Sequence, residues 1–276
     1  MNTQAHICFI GAGNMAGSIV GGLVRQGYPR NMITLAAPSK EHLQHAQHQW
    51  QVNTTEDNNQ AVQAADIIVL AVKPQVLREV CESLAPTLQG RSPLIISVAA
   101  GISTRLIQTW LQHPYPVVRT MPNTPALVLK GATGLFATEQ VSAQEKAQAE
   151  AIFAAIGLTC WVEDEQQMHA ITALSGSGPA YFFLILEALE SAGVNAGLSS
   201  ETARLLAIQT MAGAAEMART SPLEPAQLKR NVMSPGGTTE RAIEAFEAGG
   251  LRTLVDTAVS AAKTRSAELA EILGKG

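Results

Sequence analysis

"ICFIGAGNMAGSIVGGL" (Ile7–Leu23) joins a short apolar, β-branched run to a glycine-patterned turn that continues at helical spacing. Between the two lies Gly11-x-Gly13-x-x-Ala16, the G-x-G-x-x-G/A spacing found where the first strand of a dinucleotide-binding unit meets its first helix. Each position has a physical reason. Gly11 allows the tight turn, Gly13 lets a pyrophosphate approach the backbone, and Ala16 lets the helix pack closely on the strand. The helix start adds free N–H groups and the positive end of the helix dipole. The spacing alone is a weak signal, and its place between a strand and a helix is what gives it weight. Gly11, Gly13, Asn14, Met15 and Ala16 are therefore candidate cofactor-binding residues.

Outward from this stretch, short β-branched runs alternate with helical patterns. His6–Ile10, Met32–Ala36, Asp66–Val72, Leu94–Ala100 and Pro116–Thr120 read as strands. Asn14–Gln26, Lys40–Trp50, Gln75–Ala85 and Thr104–Gln112 read as the helices between them. Alternation of this kind predicts βαβ units and a parallel sheet with both faces covered. A further helix over Ala143–Ile156 and a strand over Leu158–Val162 extend it. After Asp164 only helical patterns follow: Ala180–Gly193, apolar almost all round and so expected to be buried, then Ser199–Arg219, and a last helix from about Leu251 to near Leu273. The fold class expected is α/β, an N-terminal Rossmann dinucleotide-binding domain over residues 1–163 followed by an all-helical domain over 164–276. Helices this apolar in so small a domain point to a partner subunit.

The identity of the dinucleotide turns on the end of the second strand. An NAD site usually carries Asp or Glu there to accept from the ribose 2′-OH. This strand instead ends "LAAPSK", and Ser39 and Lys40 can receive a 2′-phosphate. NADP is favoured, with NADH left open, because Lys40 also reads as an exposed cation in a helix first turn. "AVKPQ" (Ala71–Gln75) and "SVAAG" (Ser97–Gly101) end successive strands at their carboxyl ends, where open α/β sheets bind ligands. Ala71, Val72, Lys73, Pro74, Ala99, Ala100 and Gly101 are thus further cofactor candidates. Pro74 keeps Lys73 out of the α region and turns the chain at that rim.

The totals exclude several classes. The 276 residues are 46% hydrophobic and 15% charged, ample for folded cores. A formal net charge of −4 and 4% aromatic content argue against a nucleic-acid grip and against a basic membrane anchor. Cys8, Cys81 and Cys160 are odd in number and far apart, so no disulfide framework or metal site is expected, and a reducing cytoplasm is the natural compartment. Cys8 and Cys160 sit in apolar runs and read as core residues. No uninterrupted apolar run approaches the ~18 residues that span a bilayer, and Met1–His6 carries no Lys or Arg, so a soluble chain is expected. His42, His45 and His48 recur every third residue, which reads as a solvated helix face rather than a metal site.

One stretch remains. "NVMSPGGTTERAIEAF" (Asn231–Phe246) sets two adjacent glycines before an amphipathic helix. It reads either as a flexible turn or as a cradle for a small anion at a helix start.

Taken together, "FIGAGNMAGSIVGGL", "AVKPQ", "SVAAGI", "RTMPNTPALVLKGAT", "TALSGSGPAYFF" and "SPGGTT" occur in an order that closely resembles pyrroline-5-carboxylate reductases, over Ile7 to past Thr239. The resemblance implies a Rossmann domain and a helical domain that interlocks with its twin in a homodimer, often assembled further into decamers. It implies reduction of the ring imine of 1-pyrroline-5-carboxylate to L-proline by NAD(P)H. It places the substrate carboxylate at Ser234, Gly236, Gly237, Thr238 and Thr239, with the Thr239 hydroxyl near the ring nitrogen as the catalytic group and Ser177 lining the pocket. Asn231 matches a position near the cofactor and the partner subunit. No strong general base is required, because a protonated imine is already electrophilic at carbon. Family members often carry an acid shortly before this helix. Glu224 is the nearest here, and it is left outside the site.

Two rivals remain on the sequence. β-Hydroxyacid dehydrogenases share the "FIG-x-GNM" run but need a Lys after the glycine-rich helix start. That place holds Phe182 or a neighbour, and no Lys occurs between Lys146 and Lys229. A non-catalytic NADP-binding regulatory protein would show the same cofactor motif without need of the anion cradle.

Overall fold

The structure is a computed structural model and describes residues 4–275. β1 (Ile7–Ile10), α1 (Asn14–Arg25), β2 (Ile33–Ala36), α2 (Lys40–Trp50), β3 (Asn53–Thr55), α3 (Asn58–Val62), β4 (Ile67–Leu70), α4 (Pro74–Leu88), β5 (Leu94–Ser97), α5 (Thr104–Trp110) and β6 (Val117–Met121) form the alternating series. β7 (Gly131–Ala137), α6 (Ala143–Ala154), β8 (Gly157–Trp161) and α7 (Gln167–Ile171) follow, then α8 (Gly178–Asn195), α9 (Ser200–Thr220), α10 (Pro225–Val232), α11 (Thr238–Ala248) and α12 (Leu251–Lys275). The eight strands make one sheet in the order β3-β2-β1-β4-β5-β6-β7-β8. The first six are mutually parallel in the 3-2-1-4-5-6 order of a dinucleotide-binding sheet; β7 pairs antiparallel with β6 and parallel with β8.

Every residue of β1, β2, β4 and β5 is buried. Period-two alternation divides them between two cores. Ile7, Phe9, Leu35 and Val69 face one cluster with α1, α2 and α6, while Cys8, Ile10, Ile68 and Leu70 face another with α4 and α5. Burial pushes the Cys8 and Cys81 thiols up to about 12, so both are inert core residues. Cys160 departs from the expectation of a core residue. It lies on the edge strand β8, whose outer face is open, and it is exposed.

Two strands escaped sequence reading for physical reasons. β3 has only three residues. β7, "GATGLFA", is rich in Gly and Ala because neighbours crowd it: a Cβ on Gly134 would collide with the Ile171 side chain.

The described residues divide into two compact units, one of residues 4–177 with 262–275 and one of residues 178–261. In the first, Glu165 ties three elements together. Its carboxylate accepts from the Thr104 N–H (2.8 Å) and hydroxyl (2.9 Å) at the start of α5, and from Arg119 on β6 (3.0 Å). The end of α12 joins this unit through His169 Nδ1 and Ser266 Oγ, 3.0 Å apart, both residues buried.

In the second unit α8 is far from buried: Phe183 is 65% and Leu184 66% exposed, against the expectation of an enclosed helix. Its main neighbour among the described residues is α9. By length and composition the continuous helix Gln167–Asn195 is apolar enough to cross a membrane, with 17% of its most apolar window buried.

Arg119 has only 5% of its side chain exposed. Glu165→Ala should therefore destabilise the first unit by about 3–5 kcal/mol, read from urea unfolding, because it strands a buried guanidinium.

Candidate active site

Strand register sets the rim of the site. Ile10 pairs with both Ala36 and Leu70, and Leu70 with Ser97, so the residues that follow them line up along one edge of the sheet. The Gly11 N–H donates to the Ala36 carbonyl and the Ala71 N–H to the Ile10 carbonyl, each at 2.8 Å. Gly11 has φ +109°, and a Cβ there would stand 2.5 Å from the Ala71 carbonyl oxygen. Only glycine fits. α1 then starts from Gly13 with no side-chain cap and no acid in its first turn, and nothing lies within 4 Å of where a Gly13 Cβ would be. The first N–H groups of α1 have no hydrogen-bond partner among the described residues. A groove of about 900 Å³ begins at Ala12, Gly13 and Asn14 and runs along α1 to His45 and Trp50.

The other expected cofactor residues of this unit surround that rim. Ser39 caps α2, accepting from the His42 N–H at 3.4 Å. Lys40 pairs with Glu56 at 3.6 Å, both side chains mostly exposed. Lys73 is exposed and precedes Pro74 at the start of α4. Val72 is half-buried and Ala100 exposed, whereas Ala99 and Gly101 are buried, Gly101 beneath Ala270 and Leu273 of α12. His42, His45 and His48 are all exposed.

Asn58, the first residue of α3, was missed. Its Oδ1 is buried without a hydrogen-bond partner among the described residues, just past the carboxyl end of β3. The Asp57 cap before it marks a helix start in the sequence, but without β3 nothing placed that helix at the rim.

Ser177 closes the first unit, directly after a π turn over Thr172–Gly176 in which its N–H donates to the Thr172 carbonyl at 2.8 Å. Turns of this kind concentrate at functional sites.

The glycine loop lies in the second unit. Gly236 has φ +69°, and α11 begins from Gly237 with no side-chain cap. Two expected donors are already engaged: the Gly236 N–H donates to the Glu240 carboxylate at 2.7 Å and the Gly237 N–H to the Ser234 carbonyl at 2.9 Å. The open donors are thus the N–H groups of the first turn proper, from Thr238 onward. The Thr239 hydroxyl makes no hydrogen bond among the described residues. Asn231, at the end of α10, accepts from the Gln227 amide at 2.8 Å.

Comparison with known proteins fits this arrangement. A family model described as pyrroline-5-carboxylate reductase dimerisation matches residues 165–269, and one described as NADP oxidoreductase coenzyme F420-dependent matches residues 6–101. A pyrroline-5-carboxylate reductase of Pseudomonas aeruginosa is 51% identical over 98% of both chains. The chain belongs to the pyrroline-5-carboxylate reductase family. A solved family structure from Coxiella burnetii superposes with a TM-score of 0.94 at 48% identity, covering 97% of this chain and 99% of that one. A Plasmodium falciparum pyrroline carboxylate reductase with NADP bound gives 0.84 at 30% identity, covering 97% and 98%. The reductase family's dimerisation region takes in α8 and α9, the helices whose apolar faces are exposed here.

In this family member Gly11→Ala should cost about 1–3 kcal/mol of stability through backbone strain alone. NADPH affinity, read by fluorescence titration, should fall at least about tenfold as the turn shifts.

Proposed function

We propose that this chain reduces 1-pyrroline-5-carboxylate to L-proline with NADPH as hydride donor, NADH serving less well. The observation that carries the reading is the start of α11, where a glycine turn leaves backbone donors open beside an unpartnered threonine hydroxyl. A small carboxylate fits such a place, held by N–H groups and the helix dipole.

The residues fit a dinucleotide as well. The bare start of α1 suits a pyrophosphate, and the orphaned Asn58 oxygen suits a ribose hydroxyl as donor. Ser39 and Lys40, directly after β2, offer a hydroxyl and a cation suited to a 2′-phosphate, and a solved relative with NADP bound supports that choice. When bound, the reduced nicotinamide supplies a hydride to the imine carbon, whose π electrons pass to the ring nitrogen. This chain's part is to position and to polarise. The N–H groups of Thr238 and Thr239 hold the carboxylate, Ser177 lines the ring, and the Thr239 hydroxyl meets the nitrogen. Such placement removes roughly 7–11 kcal/mol of barrier without a general base.

We infer further that residues 1–163 serve the cofactor and 164–276 serve the substrate and a second copy of the chain. The exposed apolar faces of α8 and α9 support a homodimer. In the purified protein, NADPH oxidation should start only when pyrroline-5-carboxylate is added and should yield L-proline. Cofactor binding without turnover would favour a regulatory NADP-binding protein instead.

Thr239→Ala should lower kcat by about 10²–10³ and leave the NADPH Kd unchanged, since a lost donor at the reacting group costs that much. Lys40→Asp should shift kcat/KM toward NADH by about tenfold or more, the scale of one charge-assisted hydrogen bond; Glu56→Gln, which frees Lys40, should shift it the other way.

A further inference from the structure

Asn123 lies just beyond β6, outside every residue assigned above, and is 9% exposed. Its Nδ2 donates to the Ser175 carbonyl at 3.0 Å, and its Oδ1 accepts from the Ala132 N–H at 2.9 Å. One end of the amide must donate and the other accept, so the side chain has a single orientation.

The carbonyl it meets belongs to the π turn. An inserted residue takes backbone groups out of the regular helical ladder, and they need partners from elsewhere. The turn is further bent by hydroxyls bonding backward, Thr172 to the Met168 carbonyl at 2.8 Å and Ser175 to the Ile171 carbonyl at 3.0 Å. Met121, two residues before Asn123, closes the other side: a Cβ on Gly176 would stand 2.6 Å from its Cε. The exit of β6 thus grips both Ser175 and Gly176, the two residues before Ser177.

We propose that Asn123 is a positioning residue, which fixes the π turn and through it the placement of Ser177 against the imine substrate. It touches neither substrate nor cofactor itself. The proposal rests on the substrate reading given above.

Asn123→Asp tests it, because the carboxylate keeps the acceptor for Ala132 but loses the donor and repels the Ser175 carbonyl. Kinetics with pyrroline-5-carboxylate at saturating NADPH should show kcat/KM reduced about 10²-fold, the scale of a small misplacement of reacting groups. The NADPH Kd should stay within about threefold. The deficit should shrink as pH falls, since protonating the introduced carboxylate restores a donor toward Ser175. If the Asn123→Asp variant does not fold, Asn123→Ser is read by the same two quantities. Kinetics unchanged within about threefold, or NADPH affinity and thermal stability falling in step with kcat/KM, would overturn the proposal. A parent protein inactive on pyrroline-5-carboxylate would instead remove the substrate reading, and this proposal with it.

Discussion

α1 and α11 start from Gly13 and Gly237 with no side-chain cap, and the proposed function rests on the N–H groups of those first turns. The contrast lies within the same molecule. α2, α3, α5, α6 and α9 start from Ser39, Asp57, Ser103, Ser142 and Ser199, each accepting from first-turn N–H groups. A side-chain cap contributes about 1 kcal/mol to a helix. At α1 and α11 that stabilisation is forgone, and in the function proposed above an anion takes the place of the cap: a pyrophosphate at one, a carboxylate at the other. Glu240 moderates the second site, since its carboxylate already draws the Gly236 N–H toward the helix start.

The rest of the first unit serves to hold such backbone in place. Gly11 is pressed against the Ala71 carbonyl because β1 and β4 run side by side, and their buried residues allow no slip of register. Glu165 joins the start of α5 to Arg119 on β6, and the same strand exit carries Met121 and Asn123 to the π turn. One buried strand thus supports both the core and the segment that ends at Ser177.

Much of this was legible in the sequence where local chemistry and tertiary packing agree. The β1–α1 turn could be read because Gly11 answers a backbone demand that no other residue meets. β7 could not, because Gly131 and Gly134 are there to admit neighbours that only the folded chain brings near. Cys160 was misread because an apolar run does not tell an edge strand from a central one. Asn58 was invisible because a three-residue strand sets its position. At the glycine loop, the sequence indicated an anion cradle but not which amides are free. That depended on Glu240 and the Ser234 carbonyl occupying two of them.

Much of the apolar surface of α8 and α9 is exposed among the described residues, and these helices lie within the region that matches the family's dimerisation model. The most direct test of the central claim, that open amides at a helix start grip the substrate's carboxylate, compares two substrates on the unaltered protein. The ratio of kcat/KM for 1-pyrroline-5-carboxylate to that for 1-pyrroline, identical but for the missing carboxylate, should be at least about 10³, since a site built on hydrogen bonds rejects an analogue that cannot make them. Equal values for the two imines would contradict it.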